Sequence, residues 1–380
     1  MKAYKISKDI PLEKLFEEIG VTKDGSNILQ KKANINLIYI KDIKSPAANI
    51  LKQDALSIGA DLAVPKNCVT CRDEFVDAIL LANDTQLKKL SKKEKIQPFG
   101  LDKLSKELDS FKNTKRQKTL VMGVLNANDD SFFSKSRFNS SDAQSKIELL
   151  IEDGADIIDI GGVSSRPGSV GISDKEEFGR VKDIIDTIHK CKLYEKAKFS
   201  LDSYSPLSVK YALDNGFSII NDITALQNDE IARLASQYEA TVVLMHKLGD
   251  TKSMQINPHY DDVICDIDDF FTRRVQKAKK FGIEKIVLDV GIGFGKTLTH
   301  NLKLIQNLEA FLHFGFPLLV GASRKSMIDM IIPSRVEERL PGTLAIHLES
   351  IKKGASILRV HDVKEHIQAL KVQNAILESY

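Results

Sequence analysis

The sequence predicts an α/β protein, a (β/α)8 barrel preceded by a small α/β N-terminal domain. Three observations carry this reading. Eight short apolar runs recur from Thr119 onward, at 119–126, 155–162, 197–204, 217–224, 241–247, 286–293, 317–323 and 355–362. Parallel strands buried on both faces read as continuous apolar runs of this kind, and here helical stretches separate them. At or just past the downstream end of nearly every run stands a chemically capable group. These are Asn126, Ser164/Ser165/Arg166, Asp202, Asn221/Asp222, His246, Asp289, Ser323/Arg324/Lys325 and Arg359/His361. Reactive groups of such barrels gather at the C-terminal ends of the strands, so the pattern predicts architecture and active-site face together.

Taken in order, residues 1–115 have an α/β pattern of their own. Residues 12–19 read as a helix, 35–40 as a strand, 47–59 as a helix and 61–64 as a short strand. Residues 85–95 read as an exposed helix, with Lys88, Lys89, Lys92, Lys93 and Lys95 on a solvated face. The apolar segments 35–40 and 79–81 need burial. The lysine-rich stretch 101–118 reads as a helix and then a linker, dividing 1–115 from a barrel domain at 116–380. Within the barrel, helices fit at 141–153, 206–215, 229–238, 261–281, 300–311 and 336–353. Several of them stop at a glycine just before the next strand (Gly154, Gly216, Gly282, Gly354), and Pro206 stands near a helix start.

The bulk properties exclude several classes. A chain of 380 residues holds one barrel of about 250 residues plus a smaller domain. A net charge of +3 is too small to imply a nucleic-acid partner. The charged segment 1–20 has no apolar core of a secretory signal, and no run approaches the ~18 apolar residues of a membrane span. Four cysteines in this length make no disulfide framework. The expectation is a reduced, cytoplasmic protein without nucleic-acid or membrane partners.

The chemical groups divide by character. Asp202 and Asp289 each close an apolar run, where a carboxylate is costly unless paired. Either alone reads equally as a structural acceptor or cap; both together with Asn221 make a cradle for a flat heterocycle offering adjacent N–H donors, such as a guanine or pterin edge. Arg166, Lys325, Arg359 and His361 have the opposite character and suit a phosphate or diphosphate. The segment 291–297 fails the phosphate-loop spacing because Val290 stands where glycine is required. Its glycines instead allow a tight turn that leaves Phe294 free to flank a ring. Asn126, followed by Asn128-Asp129-Asp130-Ser131-Phe132, could serve Mg²⁺, although a polar turn explains the stretch equally well. Cys68 and Cys71 form one C-x-x-C without the second pair or histidines of a zinc site, and read as ordinary half-buried cysteines. His246 reads as a rim histidine outside the catalytic set.

Together the motifs resemble dihydropteroate synthase over residues 118–375. They are Met122-Gly123-Val124-Leu125-Asn126 with Asp130-Ser131-Phe132, Asp159-Ile160-Gly161-Gly162 with Ser164-Ser165-Arg166-Pro167-Gly168, Leu201-Asp202-Ser203-Tyr204 and Ile220-Asn221-Asp222-Ile223. Leu288-Asp289 with Gly293-Phe294-Gly295-Lys296, Gly321-Ala322-Ser323-Arg324-Lys325-Ser326 and Arg359-Val360-His361-Asp362-Val363 complete the set. The resemblance implies a TIM barrel that condenses 6-hydroxymethyl-7,8-dihydropterin diphosphate with 4-aminobenzoate, with Mg²⁺ as cofactor, and a homodimer. It implies that Asp202, Asn221, Asp289 and Lys325 hold the pterin with Met245 and Phe294 nearby. Arg359 would stack on the ring and, with His361 and Asn126, meet the diphosphate; Asn126 would also reach the metal. Loops carrying Asp130 and Ser165-Arg166 would close over the site and shape the aminobenzoate pocket with Ser326. Asp130, Arg166 and Lys325 form the expected catalytic set. The chain departs from the family where Asn128-Asp129 replace Thr-Pro, where Val163 and Ser165 replace Glu and Thr, and at Val290, where Pro is common. A methyltetrahydrofolate-binding methyltransferase domain leaves the Ser-Arg-Lys and Arg-Val-His clusters without a purpose. A noncatalytic pterin-binding protein is the third reading. Residues 1–115 resemble an extension of some family members and imply no activity.

Overall fold

The computed structural model describes the chain except residues 5, 7–10, 112–117, 128–139, 163–172, 250–253 and 379–380, and residues 140–142 in backbone only. The chain forms two compact units, one of Met1–Lys115 with Asn374–Tyr380 and one of Arg116–Gln373. The last seven residues thus group with the first unit, where a boundary at 115/116 alone assigned them to the barrel.

The first unit is a three-stranded antiparallel sheet with helices. Its strands β1 (Ile35–Lys44), β2 (Asp61–Ala63) and β3 (Phe75–Asn83) lie in the order β1-β3-β2. Helices Leu12–Glu18, Lys23–Ala33, Ser45–Ser57, Asp84–Glu94 and Leu101–Ser110 accompany them. Two elements escaped sequence reading. β3 buries alternate residues (Val76, Ala78, Leu80, Ala82) while Phe75, Ile79 and Leu81 face outward, so apolar side chains on both faces hide its period-2 signal. Helix Lys23–Ala33, capped by the Thr22 side chain, buries only Ser26 and so lacks an apolar stripe. The expectation that 35–40 and 79–81 are buried as blocks is corrected: Ile35, Leu37 and Tyr39 are exposed beside Ile79 and Leu81. Lys93 also leaves the solvated lysine face, pairing with Asp54 at 3.0 Å.

The second unit is the predicted barrel. Strands β4 (Leu120–Asn126), β5 (Ile157–Gly161), β6 (Lys198–Asp202), β7 (Ile219–Asp222), β8 (Thr241–Met245), β9 (Ile286–Asp289), β10 (Leu318–Val320) and β11 (Ala355–Val360) close into one ring of parallel pairs. Each lies within the apolar run that predicted it, trimmed at its ends. Met122, Ile157, Ile219, Val243, Val287, Leu319 and Ile357, one from each of seven strands, form a buried cluster of their own. That cluster is the filling of a packed barrel interior. A second layer lies between strands and helices, where Phe199, Phe271 and Phe311 are fully buried. Strand register then sets the site: Asn126 lies beside Gly161, Gly161 beside Asp202, and Asp202 beside Asn221. On the far side Met245 lies beside Asp289. Polar residues on separate strands therefore reach the same height at one mouth.

Candidate active site

At that mouth the Arg359 guanidinium links three strands. Its Nε donates to Asp159 Oδ2 at 2.7 Å and its Nη2 to Asp202 Oδ2 at 2.8 Å. The Asn221 amide donates to the same Asp159 oxygen at 3.1 Å. Asp159, Asp202 and Asn221 are all buried. Burial, with the neighbouring Asp159 charge, raises Asp202 to about 7 in spite of Arg359. The two carboxylates in turn hold Arg359 firmly protonated.

The β9 turn builds the second half. Gly291, Gly293 and Gly295 have φ of +66°, +83° and +64°, as expected of a tight turn at a strand end. A Cβ on Gly291 would lie 1.9 Å from the His246 carbonyl oxygen, and one on Gly293 would lie 3.1 Å from Lys325 Cδ. The glycines therefore let this turn press on β8 and make room for the lysine. Asp289 is buried and accepts the Gly291 N–H at 2.8 Å; desolvation raises its carboxyl above the ordinary range. Lys325 donates to the Ile292 carbonyl, and its ammonium lies 4.3 Å from the Phe294 ring centroid. Burial lowers Lys325 to about 8, opposed by Asp289.

Lys296 supports this arrangement from below. Its ammonium faces three acceptors: His246 Nδ1 at 3.0 Å, Phe294 O at 3.0 Å and His246 O at 3.4 Å. Burial pulls Lys296 down to about 7. Three acceptors for three N–H groups nevertheless match the ammonium form. His246 then accepts at Nδ1 and carries its proton on Nε2, and burial with the Lys296 charge lowers it to about 2, in keeping with a neutral ring.

The sequence-derived candidates fall as follows. Asp202, Asn221, Asp289, Lys325 and Arg359 come together, with Phe294 under Lys325. Asn126 flanks Gly161 opposite Asp202, its Oδ1 3.4 Å from where a Gly161 Cβ would stand. His361 is exposed, and its backbone N–H and Nδ1 meet Ser323 Oγ at 3.3 and 3.0 Å. Met245 is buried at the end of β8, and Ser326 is exposed at the start of the short helix Ser326–Ile331. Asp130, Ser165 and Arg166 lie outside the described residues. Asp222 proves structural: it accepts from Thr224 N, Thr224 Oγ1 and Leu226 N. Cys68 is buried with its thiol near Asn49, while Cys71 is exposed. Asp159 is a functional residue not singled out from the sequence; its signal is a carboxylate inside a run of isoleucines. Lys296 is another, and its role depends on the fold of the β9 turn.

Fold and site together define a barrel of the enzyme type, with acceptors for a flat polar heterocycle on one arc of the mouth and cations beside them. Residues 122–361 match the family described as pterin binding enzyme. A bifunctional dihydropteroate synthase/dihydropteroate reductase of Helicobacter pylori is 41% identical over 369 residues, covering 97% of each chain. The dihydropteroate synthase of Escherichia coli is 41% identical over 262 residues, covering 68% of this chain and 92% of its own. A solved dihydropteroate synthase of Xanthomonas albilineans with 4-aminobenzoic acid has a TM-score of 0.64 and 33% identity, over 70% of this chain and 95% of that one. The chain belongs to the pterin-binding enzyme family, in its dihydropteroate synthase branch.

Gly291 offers a sharp test of the turn. Gly291→Ala combines an L residue at φ +66° with a contact to backbone that cannot retreat. We expect a destabilisation of about 2 kcal/mol or more in urea unfolding; an unchanged midpoint would remove the turn from this account.

Proposed function

We propose that the synthase reaction runs at this mouth as a dissociative, cation-like step. The carrying observation is the Arg359 cluster, which sets acceptors and cations within a few ångströms of each other. Asp202, Asn221 and Asp289 receive the pterin's N–H groups, Lys325 donates to its ring acceptors, and Phe294 and Met245 flank it. Its ring lies against Arg359. The C–O bond to diphosphate breaks, leaving a delocalised cation on the pterin methylene and negative charge on the leaving group. Arg359, His361 and Arg166 stabilise that anion as it forms. Asp130 stabilises the cation once its loop excludes water. The amine of 4-aminobenzoate, unprotonated at neutral pH, attacks the methylene, and its surplus proton leaves with diphosphate or water. Ser165 and Ser326 shape its pocket.

Mg²⁺ fits this donor set as a companion of the diphosphate. No group of three or more metal-ligating side chains occurs among the described residues, and Mg²⁺ commonly uses one or two protein oxygens plus substrate phosphates. The neutral Asn126 oxygen would hold it, and it would supply charge neutralisation to the leaving group. None of the described helices is long and apolar enough to cross a membrane; the proposed setting is the cytoplasm. The exposed Met330 and Ile331 of the helix Ser326–Ile331, with Ile332 and Val336 just after it, support a homodimer, readable by sedimentation.

A second reading extends the first. The match to the bifunctional relative spans 97% of this chain, so the first unit has a counterpart there that the E. coli match does not reach. We propose that this chain also reduces 7,8-dihydropteroate, with hydride from a reduced nicotinamide or flavin added to C6 and a proton to N5 of the C6=N5 double bond.

Three measurements check these readings. Diphosphate release from the pterin substrate should depend on 4-aminobenzoate; tight binding without turnover would refute the synthase mechanism. Asp202 holds its proton below about 7 and accepts N–H groups when ionised. Pterin affinity should therefore rise as pH passes upward through that value, and Asp202→Asn should flatten the profile. Tetrahydropteroate should form when NADPH or a reduced flavin is supplied; none with either donor counts against the reductase.

A further inference from the structure

We infer that His347 and His366 are positioning residues of the synthase: a buried pair of imidazoles that sets the turn carrying Lys325 against the turn carrying His361. Both lie in helices behind the mouth, His347 in Leu340–Lys352 and His366 in Val363–Leu377, and both are buried. Neither is needed by the chemistry proposed above. The inference rests on the synthase reading.

The hydrogen bonds form one chain with a single workable proton pattern. His366 Nδ1 faces the Asp362 carbonyl oxygen at 2.6 Å, which only accepts, so Nδ1 carries the proton. His366 Nε2 is then a lone pair. His347 Nδ1, 2.9 Å away, must donate to it. His347 Nε2 is a lone pair in turn, and it accepts the Ala322 N–H at 3.1 Å. All four ring nitrogens are satisfied with both rings neutral. An extra proton on His366 would drive the His347 proton onto Nε2, where it would meet the Ala322 N–H head-on. Burial pushes both rings below their ordinary value, with Lys325 adding to it at His347 and Asp362 and Glu365 opposing it at His366.

The two ends of the chain are what separate it from core filling. Ala322 opens the turn that presents Lys325, and the Lys325 N–H returns to Ala322 O at 3.3 Å. Thr343, one helical turn before His347, accepts the Arg324 N–H of the same turn at 3.0 Å. Arg324 sits at φ +55°, a conformation that a non-glycine residue keeps only when its surroundings hold it. Asp362 follows His361, and its carboxylate takes a two-pronged ion pair from Arg324. The two turns are therefore joined at three places: His361 to Ser323 Oγ, Arg324 to Asp362 and, behind them, His347 to His366. The imidazole pair ties together the two helices behind these turns. Lys325 and His361 both serve the pterin diphosphate, whereas Ser326, which shapes the aminobenzoate pocket, opens its own helix beyond Lys325, so the pair should govern the use of the pterin diphosphate more than that of 4-aminobenzoate.

Steady-state kinetics on the full chain test this. His347→Leu should raise KM for the pterin diphosphate about tenfold or more while KM for 4-aminobenzoate moves less than about twofold, since small displacements at a reacting centre have large effects. His347→Gln, which restores an acceptor toward Ala322, should recover most of that loss. If His347→Leu does not fold, His366→Leu carries the test with a smaller rise, about threefold, because the Ala322 bond remains. The inference is overturned by a folded leucine variant with parental constants, or by a loss that falls equally on both substrates and is not rescued by glutamine. A parent chain that releases no diphosphate would instead sink the synthase mechanism.

Discussion

The placement of Arg359 between Asp159 and Asp202 is the constraint on which the site depends. β11 pairs only with β10 and β4, yet its arginine reaches side chains of β5 and β6, so the ion pairs span the mouth where backbone hydrogen bonds do not. Taking three charges out of water is expensive, and a buried ion pair of this kind contributes little net stability by itself. Its value is orientation. Two of the guanidinium's five N–H groups are committed to the carboxylates, which fixes its plane. The remaining donors and the flat face are then available to a ring and an anion. Asn221, tied to the same Asp159 oxygen, is oriented by the same anchor.

The opposite arc depends on backbone rather than on ion pairs. Three glycines in the left-handed region bend the β9 turn onto β8, and Lys296 fastens it there through His246 and Phe294. Asp289 and Lys325 face each other across that turn, each opposing the other's desolvation. Acceptors and donors for a polar ring are thus held by strand ends and by a turn that its glycines and Lys296 fix in place.

Most of the barrel was legible because its strands are short, apolar and separated by helix–glycine boundaries, and because nearly every apolar run has a polar residue at or just past its downstream end. Asp202, Asn221, Asp289, Lys325 and Arg359 were found for that reason. Asp159 was passed over because it stands inside β5, not at its end, among residues that are all buried. The cost of burying a carboxylate was the available clue. His347 and His366 carry no sequence signal: on helices they look like ordinary core residues, and only the fold joins them. In the first unit, β3 was missed because apolar residues occupy its outward face as well, which erases the alternation that marks a half-buried strand.

The central claim is that Asp159 governs the pterin site through Arg359 and Asn221. Calorimetry of 6-hydroxymethylpterin binding to Asp159→Asn tests it most directly, with circular dichroism to confirm the fold. Charge-assisted hydrogen bonds of this class contribute about 1.5–3 kcal/mol, so the account predicts affinity weakened about tenfold or more. A folded Asp159→Asn chain that binds the pterin within about twofold of the parent, far less than one such bond is worth, would contradict it.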